Sequence, residues 1–370
     1  LPAAKNHLKV LADLLLHGDQ RCQTSAIVEP EIANQNKAPD LSAFGQSDLD
    51  DLTALANKHH VIVRSFEALC NVMADEEDYN CSNEVVQTID AERARIAHAL
   101  GFLDRVCIAC NSEGCDVVVI KSLDHWPDLG GDLDVFTTSR PADVIRVMRR
   151  HFNARLAERS WGDRLANKWN FIIPGLPELI EFHVGRLGQT GEQVDLAKGL
   201  RERAVLAEFG EHSFRVPAAE DRLIVSTLQR MYRHFYFRLC DIVDTVRLVE
   251  SHAVDYEQLR SSAKKAGVWE GTATYLSIVS DYVKLHRGDG IDIPSFVRTA
   301  ARFGGDQVSV RNDFLRVPIV PHSVKLFISE LGKLVVSGDV RGTARLSLFP
   351  GLAAAAALGY KLTGSDKGIW

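Results

Sequence analysis

Apolar residues recur at helical spacing along most of the chain, and that rhythm breaks in the middle. Leu8, Leu11, Leu14 and Leu15 predict a helix over residues 6–17. Leu52, Leu55, Ala56, Val63 and Phe66 carry a second helical pattern over residues 49–70. Residues 23–46, between them, hold Pro30, Pro39 and several Asn, Ser and Gln, which reads as a surface loop. The stripe Ile96, Leu100, Leu103, Cys107 and Cys110 predicts a helix over residues 90–111 that ends near Gly114.

The pattern then shortens. Residues 116–120 are a β-branched run with the character of a buried strand. A polar loop over residues 121–131 leads to a second strand at 132–136. Pro141 stands near the start of a helix whose inner face is Val144, Val147, Met148 and Phe152. Two further strands are expected at 168–173 and 179–184, joined by the turn at residues 174–177, whose length suits a hairpin. From Pro217 onward the chain is helical again, with a long pattern over 217–250 and shorter ones at 256–266, 271–286, 295–303 and 324–334. The expected fold is α+β. A short mixed sheet with flanking helices occupies residues 86–215, between a helical N-terminal region (1–85) and a helical C-terminal domain (216–370).

Composition narrows the class. A chain of 370 residues exceeds the size at which one core stops growing, about 250–300 residues, so two or three compact units are expected. The formal net charge of -6 gives no bulk attraction to nucleic acid or anionic membrane. Seven scattered cysteines predict reduced thiols and a cytoplasmic setting. The Cys107–Cys110 pair lacks a second such pair and sits on an apolar stripe, as small buried residues do. No run approaches about 18 apolar residues, and no leader pattern opens the chain, so no membrane partner is expected. Residues 346–360 read as a buried, Ala-rich helix, and the acidic run through Asp78 as a solvated loop.

The candidate chemistry lies in the middle region. Residues two apart in a strand share a face, so Asp132 and Asp134 project together. Side-by-side carboxylates repel, and burying them unpaired costs several kcal/mol, so a cation is called for. Mg²⁺ (or Mn²⁺ in its place) favours such hard oxygen ligands and brings phosphate oxygens with it. Gly130 and Gly131 just before the pair would let backbone approach a bulky anion. On the later strand Glu181 shares a face with His183. If that strand lies beside the first, Asp132, Asp134 and Glu181 form a three-carboxylate metal cluster suited to displacement at phosphorus.

This order of elements resembles the nucleotidyltransferase superfamily related to polymerase β. It is more specifically similar to the bacterial nucleotidyltransferase-like proteins of uncharacterised activity. There an apolar strand ending in Lys-Gly precedes the acidic pair, and a helix with a His-basic-Asp-Asp pattern follows. Here Lys121-Ser122 stands at the Lys-Gly position, ten residues before Asp132, and the later pattern reads through His234, Arg238, Asp241 and Asp244. The similarity spans about residues 49–294. It implies Mg²⁺-dependent transfer of a nucleoside monophosphate from a nucleoside triphosphate to an acceptor hydroxyl, with pyrophosphate released. Asp132, Asp134 and Glu181 would bind metal. Lys121, Ser122, Gly130, Gly131, His234 and Arg238 would meet the nucleotide. The acceptor, whether small molecule, RNA end or protein, and the oligomeric state are not read. The alternatives are a metal-dependent glycosyltransferase of the D-x-D type and a non-catalytic binding protein on a degenerate nucleotidyltransferase core.

Overall fold

The computed structural model describes residues 6–23, 45–74 and 82–363. The loop expected at 23–46 falls outside these except at its ends, and the acidic run at 75–78 lies wholly outside. Four helices precede the first strand: α1 (His7–Gln23), α2 (Gln46–His59), α3 (Ile62–Ala74) and α4 (Asn83–Ser112). The central sheet comprises β1 (Val117–Val119), β2 (Asp132–Thr137), β3 (Arg155–Leu156), β4 (Lys168–Ile172) and β5 (Leu179–Val184), in spatial order β1-β2-β5-β4-β3. Helices α5 (Pro141–Phe152) and α6 (Trp161–Ala166) fall between β2 and β4. Next come α7 (Val194–Arg203), a hairpin of β6 (Val205–Phe209) and β7 (His212–Val216), α8 (Ala219–Thr227) and a π-helical turn at Leu228–His234. The remainder comprises β8 (Tyr236–Phe237), α9 (Leu239–Glu250), α10 (Tyr256–Ala266), α11 (Trp269–Arg287), α12 (Ser295–Ala300), β9 (Ser309–Arg311), β10 (Phe314–Arg316), α13 (Val324–Val336), α14 (Val340–Leu346) and α15 (Phe349–Thr363). The fold is mixed α and β, as expected.

Four strands stand where the alternation of the sequence puts them, and their pairing sorts the side chains. β2 runs parallel to β5, with Asp134 opposite Glu181, while β1 and β4 flank this pair antiparallel. One face carries Val119, Leu133, Val135, Phe171, Ile180 and Phe182, all buried against α4 and α5 in one apolar cluster. The opposite face carries Val118 and Phe136, covered by Leu187, Ala197, Leu200 and Val225. Towards the start of β2 that second face is polar, and there the cover is incomplete.

The two helical regions expected at either end of the chain share one core. Leu11 and Leu14 of α1, Leu52 of α2 and Phe66 of α3 join a cluster with Ile242 and Val246 of α9 and Leu276 and Val279 of α11. A buried ion network ties α3 to the sheet loop. Arg64 Nε lies 2.7 Å from Asp128 Oδ2, and Arg64 Nη1 lies 2.7 Å from Asp244 Oδ1. Asp128 also accepts the Val63 amide at 2.6 Å, capping the first turn of α3 from outside the helix.

Three expectations are corrected. The pattern over 217–250 is not one helix, because Phe235 has φ 56° and Tyr236–Phe237 pairs with β10. The aromatic run there trades helical bonds for strand pairing and ring contacts, with Tyr236 and Phe314 centroids 4.6 Å apart. The Ala-rich helix α15 is mostly exposed, anchored through Phe349. Cys70 is disulfide-bonded, against the expectation of uniformly reduced thiols, whereas Cys107, Cys110, Cys115 and Cys240 are free. Among the described residues no helix is long and apolar enough to cross a membrane.

Arg64 compensates two buried carboxylates, so Arg64→Met should lower unfolding stability by about 3–5 kcal/mol. Urea denaturation measures this; a loss below about 1 kcal/mol would contradict the role given to the network.

Candidate active site

The polar end of the sheet encloses a cavity of about 200 Å³ lined by Lys121, Asp132, Asp134, Lys168, Glu181 and His183 from below. Leu187 and Gly188, after β5, and Gln229, Arg233 and His234, from the π-helical turn, close it from above. The wider repeat of a π-turn re-aims successive side chains, which is why such turns recur at functional sites. Here it presents both Arg233 and His234 to the cavity.

The three acidic residues converge as their strands require. Asp134 and Glu181 are register partners on parallel strands, and Asp132, two residues earlier, shares their face at the exposed rim. The pair is not bare. Lys121 Nζ lies 2.5 Å from Asp134 Oδ1 and 3.8 Å from Glu181 Oε1. Lys168 Nζ lies 2.5 Å from Glu181 Oε1. His183 Nε2 donates to Asp134 Oδ1 at 2.8 Å and stands 2.8 Å from Glu181 Oε1. Both neighbours of that nitrogen are carboxylates, which only accept, so Nε2 carries the proton.

Lys121 reaches this position through a strained backbone. Its φ of 59° and ψ of -58°, with Ser122 N donating to Ile120 O at 2.6 Å, make a tight γ-turn at the end of the β1 run. A non-glycine residue adopts that conformation only where the surroundings enforce it. Here the ion pair with Asp134 and the packing of Leu123 hold it.

The charges perturb one another. Burial would raise the Glu181 carboxyl, but Lys168, the His183 hydrogen bond and Lys121 hold it well below the usual range. Partial desolvation at the rim, then the charges of Asp134 and Glu181, push Asp132 up to about 6. Burial, then Arg233, bring the Lys168 ammonium down to about 8 against the pull of Glu181. Burial, then Arg233 and Arg230, keep His234 well below the ordinary histidine value and so neutral.

Several expected nucleotide ligands stand elsewhere. Ser122 is buried, donating to Asp132 O at 3.1 Å and accepting the Asp134 amide at 2.7 Å. It staples the turn to the start of β2 and offers no hydroxyl to a phosphate. Gly130 and Gly131 do not line the cavity, and neither has a positive φ; Gly130 lies against His60. Arg238 is cut off from His234 by the break at Phe235. Its amide donates to Asp241 Oδ2 at 2.7 Å, starting α9, and its guanidinium lies 5.8 Å from the Tyr236 ring centre. Of the six, Lys121 and His234 are at the cavity. The loop acids that follow Lys121 in sequence pair with arginines instead, Asp124 with Arg222 at 2.6 Å and Asp128 with Arg64 at 2.7 Å.

Sequence reasoning missed Lys168 and Arg233. Lys168 pairs in register with His183, so the hairpin turn at 174–177 held the signal. It also missed a second group with metal-ligating atoms, His125, Cys240 and Asp244. Asp244 is already bound by Arg64 at 2.7 Å and by His125 at 2.5 Å, which closes the network without an ion.

Asp134, Glu181 and His183 have ligand atoms within 4.8 Å of one another. With Asp132 the two carboxylates form a hard oxygen set that fits a divalent cation, while Lys121 and Lys168 balance their charge. Comparison with known protein families and with curated proteins returns no match.

Asp132 titrates near 6 in the folded chain, above its ordinary 3.8, so its ionised form destabilises the fold and stability contributed by its proton is lost as pH rises through 6. Asp132→Asn should therefore melt above the wild type at pH 8, with the gap narrowing as pH falls through 6 and closing only below 3.8. A lower melting point at pH 8 would mean that Asp132 is a stabilising ion-pair partner instead.

Proposed function

We propose that the protein is a Mg²⁺-dependent nucleotidyltransferase, moving a nucleoside monophosphate from a nucleoside triphosphate to an acceptor hydroxyl. The observation that carries this reading is the register of β2 with β5, which stands Asp134 beside Glu181 with Asp132 on the same face. A cluster of that kind suits cation-assisted displacement at phosphorus.

Asp132, Asp134 and Glu181 would hold the metal, which supplies positive charge to the reacting phosphate and its leaving group. Lys121 and Lys168 neutralise the carboxylates at rest. As a nucleotide enters with its cation, the two ammoniums turn from carboxylate to phosphate oxygen, a shift of a few ångströms at the tips of flexible stems. Arg233, at the roof, and neutral His234 meet the same phosphates. Asp132, at the open rim of the cluster, would take the proton of the acceptor hydroxyl. The new bond forms between that oxygen and the α-phosphorus, and the bond to the bridging oxygen breaks to release pyrophosphate. At about 200 Å³ the cavity suits the phosphate chain, while sites for whole small molecules usually exceed about 300 Å³, so base and sugar lie beyond the rim.

A second reading has support of its own. Asp134 and Glu181 are already neutralised by two lysines and a histidine, as in a site that binds an anion without catalysis. The glycosyltransferase reading gains nothing comparable, because the described chain before β1 is helical, with no nucleotide-binding strand–helix–strand half.

Calorimetric titration with the four common nucleoside triphosphates separates the two. Nucleotidyl transfer predicts binding of at least one of them that requires Mg²⁺ and weakens at least about tenfold in Asp134→Asn. If no Mg²⁺-requiring component of binding is found that Asp134→Asn weakens, the anion-binding reading takes its place, whatever metal-independent binding occurs elsewhere on the chain.

A further inference from the structure

A cavity larger than the one that holds the acids lies elsewhere in the fold. A cleft of about 710 Å³ lies between the loop after β5, α7, α10 and the C-terminal helices α13 and α14. A second cavity of about 430 Å³ shares three of its residues, Arg186, Arg341 and Arg345. These arginines come from two distant stretches, the end of β5 and helix α14.

Among the described residues no carboxylate lies within ion-pair distance of the three guanidiniums. The acids that line the cleft are already engaged: Asp195 lies 3.9 Å from Lys265, Glu202 lies 4.0 Å from Lys198, and the other two are held by backbone. Glu192 accepts the Gln189 and Thr190 amides at 2.9 and 2.8 Å, and Asp339 accepts the Gly342 amide at 2.8 Å. Arg345 is fixed by donating to Leu165 O at 2.5 Å and Thr190 O at 3.3 Å, through one nitrogen only. Burial, then the repulsion of Arg186 and of Arg341, lower its pKa against the pull of Glu192. Three cations held together at the mouth of a ligand-sized cleft call for a multivalent anion. Guanidinium forks bind phosphate oxygens in pairs. The cleft has no aromatic side chain in its lining.

We propose that Arg186, Arg341 and Arg345 form a binding site for an oligophosphate, recognised by its linked phosphates alone. The site is distinct from the acidic cavity and does not depend on the nucleotidyl-transfer reading. The two are neighbours, however. Leu187 and Gly188 line the acidic cavity, while Arg186 and Gly191 line the cleft. The loop between is braced by paired bonds between Leu187 and Gln193, at 3.2 and 3.1 Å. Gly191 has φ 75°, and a Cβ there would meet Leu165 O at 2.9 Å, so the loop holds one shape. An oligophosphate on one side of that loop sits against the wall of the acidic cavity.

The test is calorimetry of the full chain with inorganic tripolyphosphate, in EDTA to exclude metal-assisted binding. The proposal predicts saturable binding, weakened at least about tenfold by Arg186→Ala and by Arg341→Ala. Among the described residues neither side chain has an ion-pair partner, so both variants should melt with the wild type. Lys121→Ala should bind as the wild type does. ATP should match tripolyphosphate within about threefold, because only phosphates are read. Absence of binding at millimolar concentration would overturn the proposal. So would unchanged binding in both arginine variants, loss in Lys121→Ala, or a strong preference for ATP over tripolyphosphate.

Discussion

Asp134 and Glu181 face each other across parallel strands, and two carboxylates brought together inside a sheet must be compensated. Much of the surrounding structure meets that need. Lys168 comes from β4, on the far side of Glu181, and Lys121 from the turn after β1, on the far side of Asp134. His183 places one N–H between the two carboxylates. The backbone strain at Lys121 is the local cost of bringing an ammonium to the only flank that β4 cannot reach. With the charges balanced at the centre, the residual repulsion falls on Asp132, at the rim, where water and a ligand have access.

The remainder of the fold keeps that register in place. The sheet face away from the acids is apolar save for Thr137 at the end of β2 and is pressed against α4 and α5. A slip of one residue in β2 or β5 would turn carboxylates into that core, so the pairing has no alternative of similar energy. The loop between β1 and β2 could still wander, and two devices prevent it. Ser122 ties its start to both ends of the Asp132–Asp134 segment, and Arg64 ties Asp128 to α3 and α9. Helices remote in sequence thus serve a site to which they contribute no side chain.

The sheet and its acids were legible in the sequence because both follow from alternation. A strand of period two fixes which of Asp132, Leu133 and Asp134 face together, and the same holds for Glu181 and His183. What alternation does not carry is pairing across strands, and that is where Lys168 was lost. The loop residues were misjudged for a different reason. Ser122, Gly130 and Gly131 have ligand-binding chemistry, but a hydroxyl beside a strand end is as useful to the backbone as to a phosphate, and here the backbone takes it. Arg238 was misplaced because an apolar and aromatic run kept helical spacing across a break. Phe235 turns the chain into β8, and tertiary pairing with β10 overrides the local pattern. The arginines of the second cleft lie in segments that no local motif connects.

The central claim is that the cation-seeking charge of this protein lies at β2 and β5, and not at the buried His125–Cys240–Asp244 group. Paramagnetic broadening by Mn²⁺ in a sample with ¹⁵N-labelled histidine imidazoles tests it directly. The account predicts strong broadening of the His183 and His234 signals with His125 spared. Broadening of His125 while His183 and His234 stay sharp would contradict it.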